Sequence, residues 1–170
     1  MAETRWLDDK EQVAWRTFMV AVTVLFEQLK QELNASTGLS LTDYEILVRL
    51  SEADSRCLRM SELANSALSS RSRMSHAVTR LEQAGWVRRE GCATDKRGAF
   101  ATLTDDGMAK LESAAPFHVE SVRRHLLDQL SPKQLSELES IARGLVRHLG
   151  VESSCGVFIS SSCGAPNPSV

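Results

Sequence analysis

With 170 residues, 42% hydrophobic and 25% charged, the chain has the make-up of one globular domain plus a tail and can bury a real core. No apolar run reaches membrane-spanning length and the first residues, MAETRWLDDKEQ, are charged, so the expected location is cytoplasmic. Four cysteines without CxxC spacing and four scattered histidines argue against a metal site, and no P-loop, GxGxxG, GxSxG or HExxH motif is present, so neither enzyme nor cofactor is expected.

In chain order, Trp15, Phe18, Met19, Val22, Leu25, Phe26, Leu29 and Leu33 recur at steps of three and four, predicting a long helix from Asp8 to Leu33. The run Asn34 to Ser40 is expected to break it. A second helix is predicted to start at a capping box, Thr42 with Glu45, and to end near Ser51, with Tyr44, Ile46, Leu47 and Leu50 inward. Arg56 to Arg59 reads as extended, and Met60 to Leu68 as a short helix. Ser69 and Ser70 then offer an N-cap for a helix from Arg71 to Ala84, closed by Gly85 in a left-handed C-cap.

That helix has two faces. Met74, Ala77, Val78 and Leu81 point one way; Ser72, Arg73, His76, Thr79, Arg80 and Gln83 point the other. Trp86 to Glu90 and Phe100 to Leu103 read as a hairpin around a loop at 91–98. Thr104 caps a further helix running towards Leu130, which Pro116 is expected to kink or break. Ser131 and Pro132 restart a last helix with Leu135, Leu138, Ile141, Leu145 and Leu149 on one stripe. Beyond Gly150 the chain turns to Ser, Gly and Pro, the composition of a disordered tail (150–170).

The charge is unevenly placed. Between Ser69 and Arg97 stand seven basic residues (Arg71, Arg73, Arg80, Arg88, Arg89, Lys96, Arg97) and three acidic ones (Glu82, Glu90, Asp95), in a chain whose net charge is −2. A basic island in an acidic chain is the footprint of a polyanion-binding surface. Helix, helix, strand, loop, strand is the order of a winged helix-turn-helix, within a mainly α (α+β) fold. The outward face of its second helix fits the major groove, and a basic hairpin tip suits the minor groove. The candidate DNA-binding set is Ser70, Ser72, Arg73, His76, Thr79, Arg80, Gln83, Arg88, Arg89, Lys96 and Arg97, with Arg88 and Arg89 assigned to phosphates.

Leu63-Ala64, then Met74-Ser75-x-x-Val78-Thr79-Arg80-Leu81-Glu82-x-x-Gly85-Trp86-Val87-Arg88-Arg89, then Asp95-Lys96-Arg97-x4-Thr102-Leu103-Thr104-x-x-Gly107 together resemble the multiple antibiotic resistance regulator (MarR) family. The resemblance extends over about 41–149. It implies a homodimeric transcriptional regulator of double-stranded, palindromic operator DNA, a repressor relieved by ligand. The helical parts, 8–35 and 105–149, would dimerise, and 41–104 would bind DNA. Arg97 would contact the minor groove from the wing, with Asp95 supporting it. Apolar stripes at both chain ends, more than a small winged helix can cover, agree with a dimer.

The resemblance also implies a site for a small aromatic or anionic effector between the dimerisation helices and the DNA-binding lobe. Trp15, Phe18, Met19, Phe26, Tyr44 and Arg49 are its candidate lining, although aromatic residues at helical spacing need no ligand and read more simply as core. An alternative switch is thiol oxidation. Cys92 lies among Arg88, Arg89, Lys96 and Arg97, cations that favour a thiolate, whereas Cys57 reads as a small buried hydrophobe and Cys155 and Cys163 fall in the tail. A winged helix used for protein contacts is the remaining alternative, and would call for an apolar or acidic exposed face. Replacing Arg97 by alanine is expected to weaken operator binding and to reduce the slope of log K against log salt by about one. A salt titration showing unchanged affinity and slope would remove that role.

Overall fold

The computed structural model describes residues 3–67, 69–91 and 99–150; Leu68, residues 92–98 with Cys92, Asp95, Lys96 and Arg97, and the tail from 151 with Cys155 and Cys163 lie outside the described residues. Six α-helices and three strands follow one another as α1 (Asp9–Thr37), α2 (Leu41–Glu52), β1 (Cys57–Arg59), α3 (Met60–Ser66), α4 (Arg71–Gln83), β2 (Val87–Gly91), β3 (Ala99–Leu103), α5 (Asp105–His125) and α6 (Pro132–His148). The strands form an antiparallel sheet in the order β1-β3-β2, with Cys57 opposite Thr102 and Val87 opposite Leu103.

One core serves the winged-helix part. Ile46, Leu47 and Leu50 of α2, Leu63 and Ala64 of α3, Met74, Ala77, Val78 and Leu81 of α4, and Val87, Ala101 and Leu103 of the sheet are buried together. Leu33 from α1 and Leu111 and Ala114 from α5 close it on the far side. The junction of wing and α5 depends on Gly107, where any Cβ would collide with the Trp86 carbonyl oxygen. Here Thr104 does two jobs: its hydroxyl donates to the Gly85 carbonyl at 2.7 Å and accepts the Gly107 amide at 2.9 Å.

Several boundaries differ from expectation, some for an evident local reason. α1 runs four residues past Leu33, because Asn34, Ala35, Ser36 and Thr37 tolerate helix and only Gly38, at φ 73°, stops it. The α2 N-cap is Ser40 rather than Thr42: its hydroxyl accepts the Asp43 amide at 3.1 Å. α3 ends at Ser66. Pro116 neither ends nor splits α5, which is continuous from Asp105 to His125. Pro116 and Glu112, whose carbonyl loses its donor, are both exposed, so water can take the place of the missing bond. α5 stops at His125, short of Leu130, and a 3-10 turn at Leu127–Gln129 leads to α6, which starts as expected with Ser131 as N-cap and Pro132 first in the helix.

Much of α1 and all of α6 remain uncovered. Within α1 only Leu29 and Leu33 are buried, while Trp15, Phe18, Met19 and Phe26 stay exposed, so these four are not core within one chain; Tyr44 is. No residue of α6 is buried, and Leu138, Ile141 and Leu145 of its apolar stripe are exposed.

α1 and α5 are tied by a polar cluster. The Glu32 carboxylate accepts the Ser121 hydroxyl at 2.6 Å and the Gln28 amide at 2.9 Å, and meets His125 Nε2 at 2.8 Å. Hydrogen bonds from Ser121, then Gln28, then His125 hold its carboxyl down from 4.5 to about 2. A carboxyl depressed in the folded state stabilises fully above its unfolded value and loses that contribution as pH falls through the folded one. The Tm gap between the natural protein and Glu32→Gln is therefore expected to close as pH drops from about 5 to about 2. Melts followed by circular dichroism test this; a gap independent of pH over that range would contradict it.

Candidate nucleic-acid interface

α4 is amphipathic in the literal sense: Met74, Ala77, Val78 and Leu81 are buried, and Ser72, Arg73, His76 and Gln83 are exposed. Ser70 caps it, accepting the Arg73 amide at 3.3 Å, and Gly85 at φ 78° turns the chain back into the wing strand. This 13-residue helix exposes Ser72, His76 and Gln83, and an α-helix fits the width of a major groove.

Both edges of that helix are clamped. On one, Arg89 of β2 reaches back over the helix: its guanidinium donates to the Ser75 carbonyl at 2.6 Å and to the Thr79 hydroxyl at 2.9 Å, and lies 3.7 Å from Glu82. The Arg89 amide also donates to Glu82 at 3.3 Å. On the other edge, Arg80 donates to Asp43 of α2 at 2.8 Å. At about 100° per residue, Thr79 and Arg80 fall on opposite borders of the exposed face, which is why one serves the wing strand and the other α2.

The expected DNA-binding residues thus divide into groups. Ser72, Arg73, His76 and Gln83 face outward; Ser70 is at the helix start; Thr79 and Arg80 carry internal bonds. Of the two arginines expected at phosphates, Arg88 points away from the domain and pairs with Glu90 beside it, while Arg89 turns inward as a staple. Lys96, Arg97, Asp95 and Cys92 lie outside the described residues. Of the candidate effector lining, Trp15, Phe18, Met19 and Phe26 sit along α1, and Tyr44 and Arg49 on α2, where the Tyr44 ring meets that of His118 of α5 in a tilted contact with centroids 4.6 Å apart. Burial lowers the His118 pKa and raises those of Tyr44 and Glu45.

Sequence comparison settles the family. The model of the MarR family matches residues 39–98. The chain is 47% identical to Sco3205, a MarR family transcriptional regulator from Streptomyces coelicolor solved in complex with DNA; the match covers 86% of this chain and 92% of that one, at a TM-score of 0.83. The chain belongs to the MarR family. A second MarR regulator of Streptomyces coelicolor, AbsC, is 48% identical over 86% of this chain and 99% of its own, at a TM-score of 0.81. The transcriptional regulator PecS of Dickeya dadantii is 27% identical over 129 residues, 75% of this chain and 77% of its own.

In this MarR chain the winged helix-turn-helix comprises α2, β1, α3, α4, β2 and β3. Asp43 and the inward Arg89 are the parts of the interface that sequence reasoning missed. Asp43 meets Arg80 37 residues away and Arg89 meets Glu82, Thr79 and Ser75 at 7, 10 and 14 residues, pairings that no local pattern reports. Arg89→Ala, which removes the Nη2 group that donates to both Ser75 and Thr79, is expected to cost about 1–2 kcal/mol. Urea unfolding measures this, and a variant as stable as the natural protein would show that the staple is dispensable.

Proposed function

We propose that the protein is a homodimeric, sequence-specific DNA-binding repressor. In this reading α4 lies in the major groove with Ser72, His76, Arg80 and Gln83 towards the bases and Arg73 towards the backbone. Arg88 and Lys96 contact phosphates, and Arg97, supported by Asp95, enters the minor groove. The observation that carries it is the exposed polar and basic face of α4, groove-sized and clamped on both edges, in a chain 47% identical to a regulator solved on DNA. A protein-docking winged helix would show an apolar or acidic face there instead.

The dimer is supported by the uncovered helices. No residue of α6 is buried within its own chain: Ile141 is 61% exposed and Leu149, just after the helix, 69%, and Phe18, Val20 and Val24 of α1 are exposed as well. Helices 8–35 and 105–149 from two copies, packed together, would remove these faces from water and fix the spacing of two α4 helices. A small aromatic or anionic effector bound between these helices and the DNA-binding lobe, near Tyr44 and Arg49, would alter that spacing and release the operator.

Selection of bound duplexes from random DNA is expected to yield a two-fold symmetric site with half-sites about one helical turn apart. Sedimentation is expected to give twice the 18.8 kDa chain mass, and Ile141→Asp with Leu145→Asp to give monomers that lose the operator. A monomeric natural protein, or selection without enrichment, would refute the reading.

A further inference from the structure

We infer that Asp43 is a positioning residue for Arg80 that sets how selectively this protein reads DNA sequence. The inference rests on the DNA-binding reading above and adds to it a residue outside α4 and the wing.

Asp43 is built for this task. It sits in the first turn of α2, where the positive end of the helix favours a carboxylate. One oxygen accepts the Ser40 hydroxyl at 2.7 Å, the Asp43 amide donates back to that same hydroxyl at 3.1 Å, and the other oxygen accepts Arg80 Nη2 at 2.8 Å. The Asp43 side chain is only 13% exposed, whereas that of Arg80 is 55% exposed. A carboxylate fixed from behind therefore holds a guanidinium whose outer part still faces the groove side of α4. The pair is not needed to hold the helices together: α2 and α4 already share Leu47, Leu50, Val78 and Leu81 in the core, and partly exposed ion pairs add little stability.

The consequence for DNA is twofold. An unpaired arginine on this face swings among rotamers and is drawn to any phosphate, which gives affinity without discrimination. Docked on Asp43, Arg80 has much of its charge compensated and its plane fixed, so that a base edge in one orientation gains a partner while a generic phosphate gains little. Arg73, two turns earlier on the same border of the helix, has no carboxylate partner among the described residues and provides an internal contrast. By this account Arg73 supplies attraction and Arg80 supplies discrimination.

The test uses the full-length protein, the duplex selected from random DNA, and a scrambled duplex of equal length and composition. Asp43→Asn keeps the shape and the Ser40 bond while removing the charge. It is expected to tighten binding to the scrambled duplex about three- to tenfold, to steepen the salt slope on that duplex by about one, and so to lower the ratio of specific to non-specific affinity. In the Arg80→Gln background, Asp43→Asn is expected to change neither duplex's affinity, since its target is gone. Arg73→Gln is expected to weaken both duplexes by similar factors. If Asp43→Asn leaves the ratio and the slope unchanged, or shifts both duplexes alike with or without Arg80, Asp43 is merely structural and the inference fails. If the natural protein selects no sequence at all, the DNA-binding reading itself fails, a separate outcome visible before any variant is made.

Discussion

Burial of Met74, Ala77, Val78 and Leu81 against α2, α3 and the wing strands is the interaction on which everything else in this domain depends. A 13-residue helix is marginal by itself in water, so α4 exists as a rigid object only because its inner face is removed from solvent. That same burial obliges Ser72, Arg73, His76 and Gln83 to face outward, because the helical period leaves them nowhere else to go. Core packing and the presentation of the polar face are one event described from two sides.

Packing alone leaves a helix free to roll, and a roll of a few degrees moves a side chain at its surface by about half an ångström, enough to misalign a hydrogen bond. Here the polar bonds matter more for direction than for stability. Arg89 grips the backbone of α4 at Ser75 and the side chain of Thr79, and Asp43 grips Arg80 on the opposite border. Two charge-assisted contacts on opposite edges resist rotation in both senses. The junction at Gly85, Trp86, Thr104 and Gly107 then sets where β2 and β3 leave the domain, and so where the wing stands relative to α4. It is a tight junction, since Gly107 packs against the Trp86 backbone without room for a methyl group.

The chain-end helices pose the opposite problem. α5 is anchored to α1 through Glu32, Ser121 and His125, yet α6 and the first two-thirds of α1 keep most of their apolar residues exposed. Leu135, Leu138, Ile141 and Leu145 of α6, with Leu149 just beyond it, form an exposed apolar stripe of the kind that marks protein contacts. The proposed dimer resolves this, and would make the same helices both the source of stability and the ruler between two α4 helices.

Periodicity and capping chemistry made most elements legible: the two faces of α4, the Ser70 cap, Gly85, Thr104, and the Ser131-Pro132 start of α6 all act within a few residues, so a linear reading captures them. Their boundaries were less legible where two local signals competed, as at Ser40 and Thr42, or where solvent could stand in for a lost bond, as at Pro116. The basic island and the wing motif likewise disclosed the class of ligand, because net charge is a sum that needs no geometry. The fate of each individual arginine was not in that sum. Arg88, Arg89, Arg73 and Arg80 are the same residue in the same island, and folding alone assigned one to Glu90, one to the flank of α4, and one to a carboxylate 37 positions earlier. Local order is written in neighbours along the chain; partnership between charges depends on distances that exist only once the core has closed.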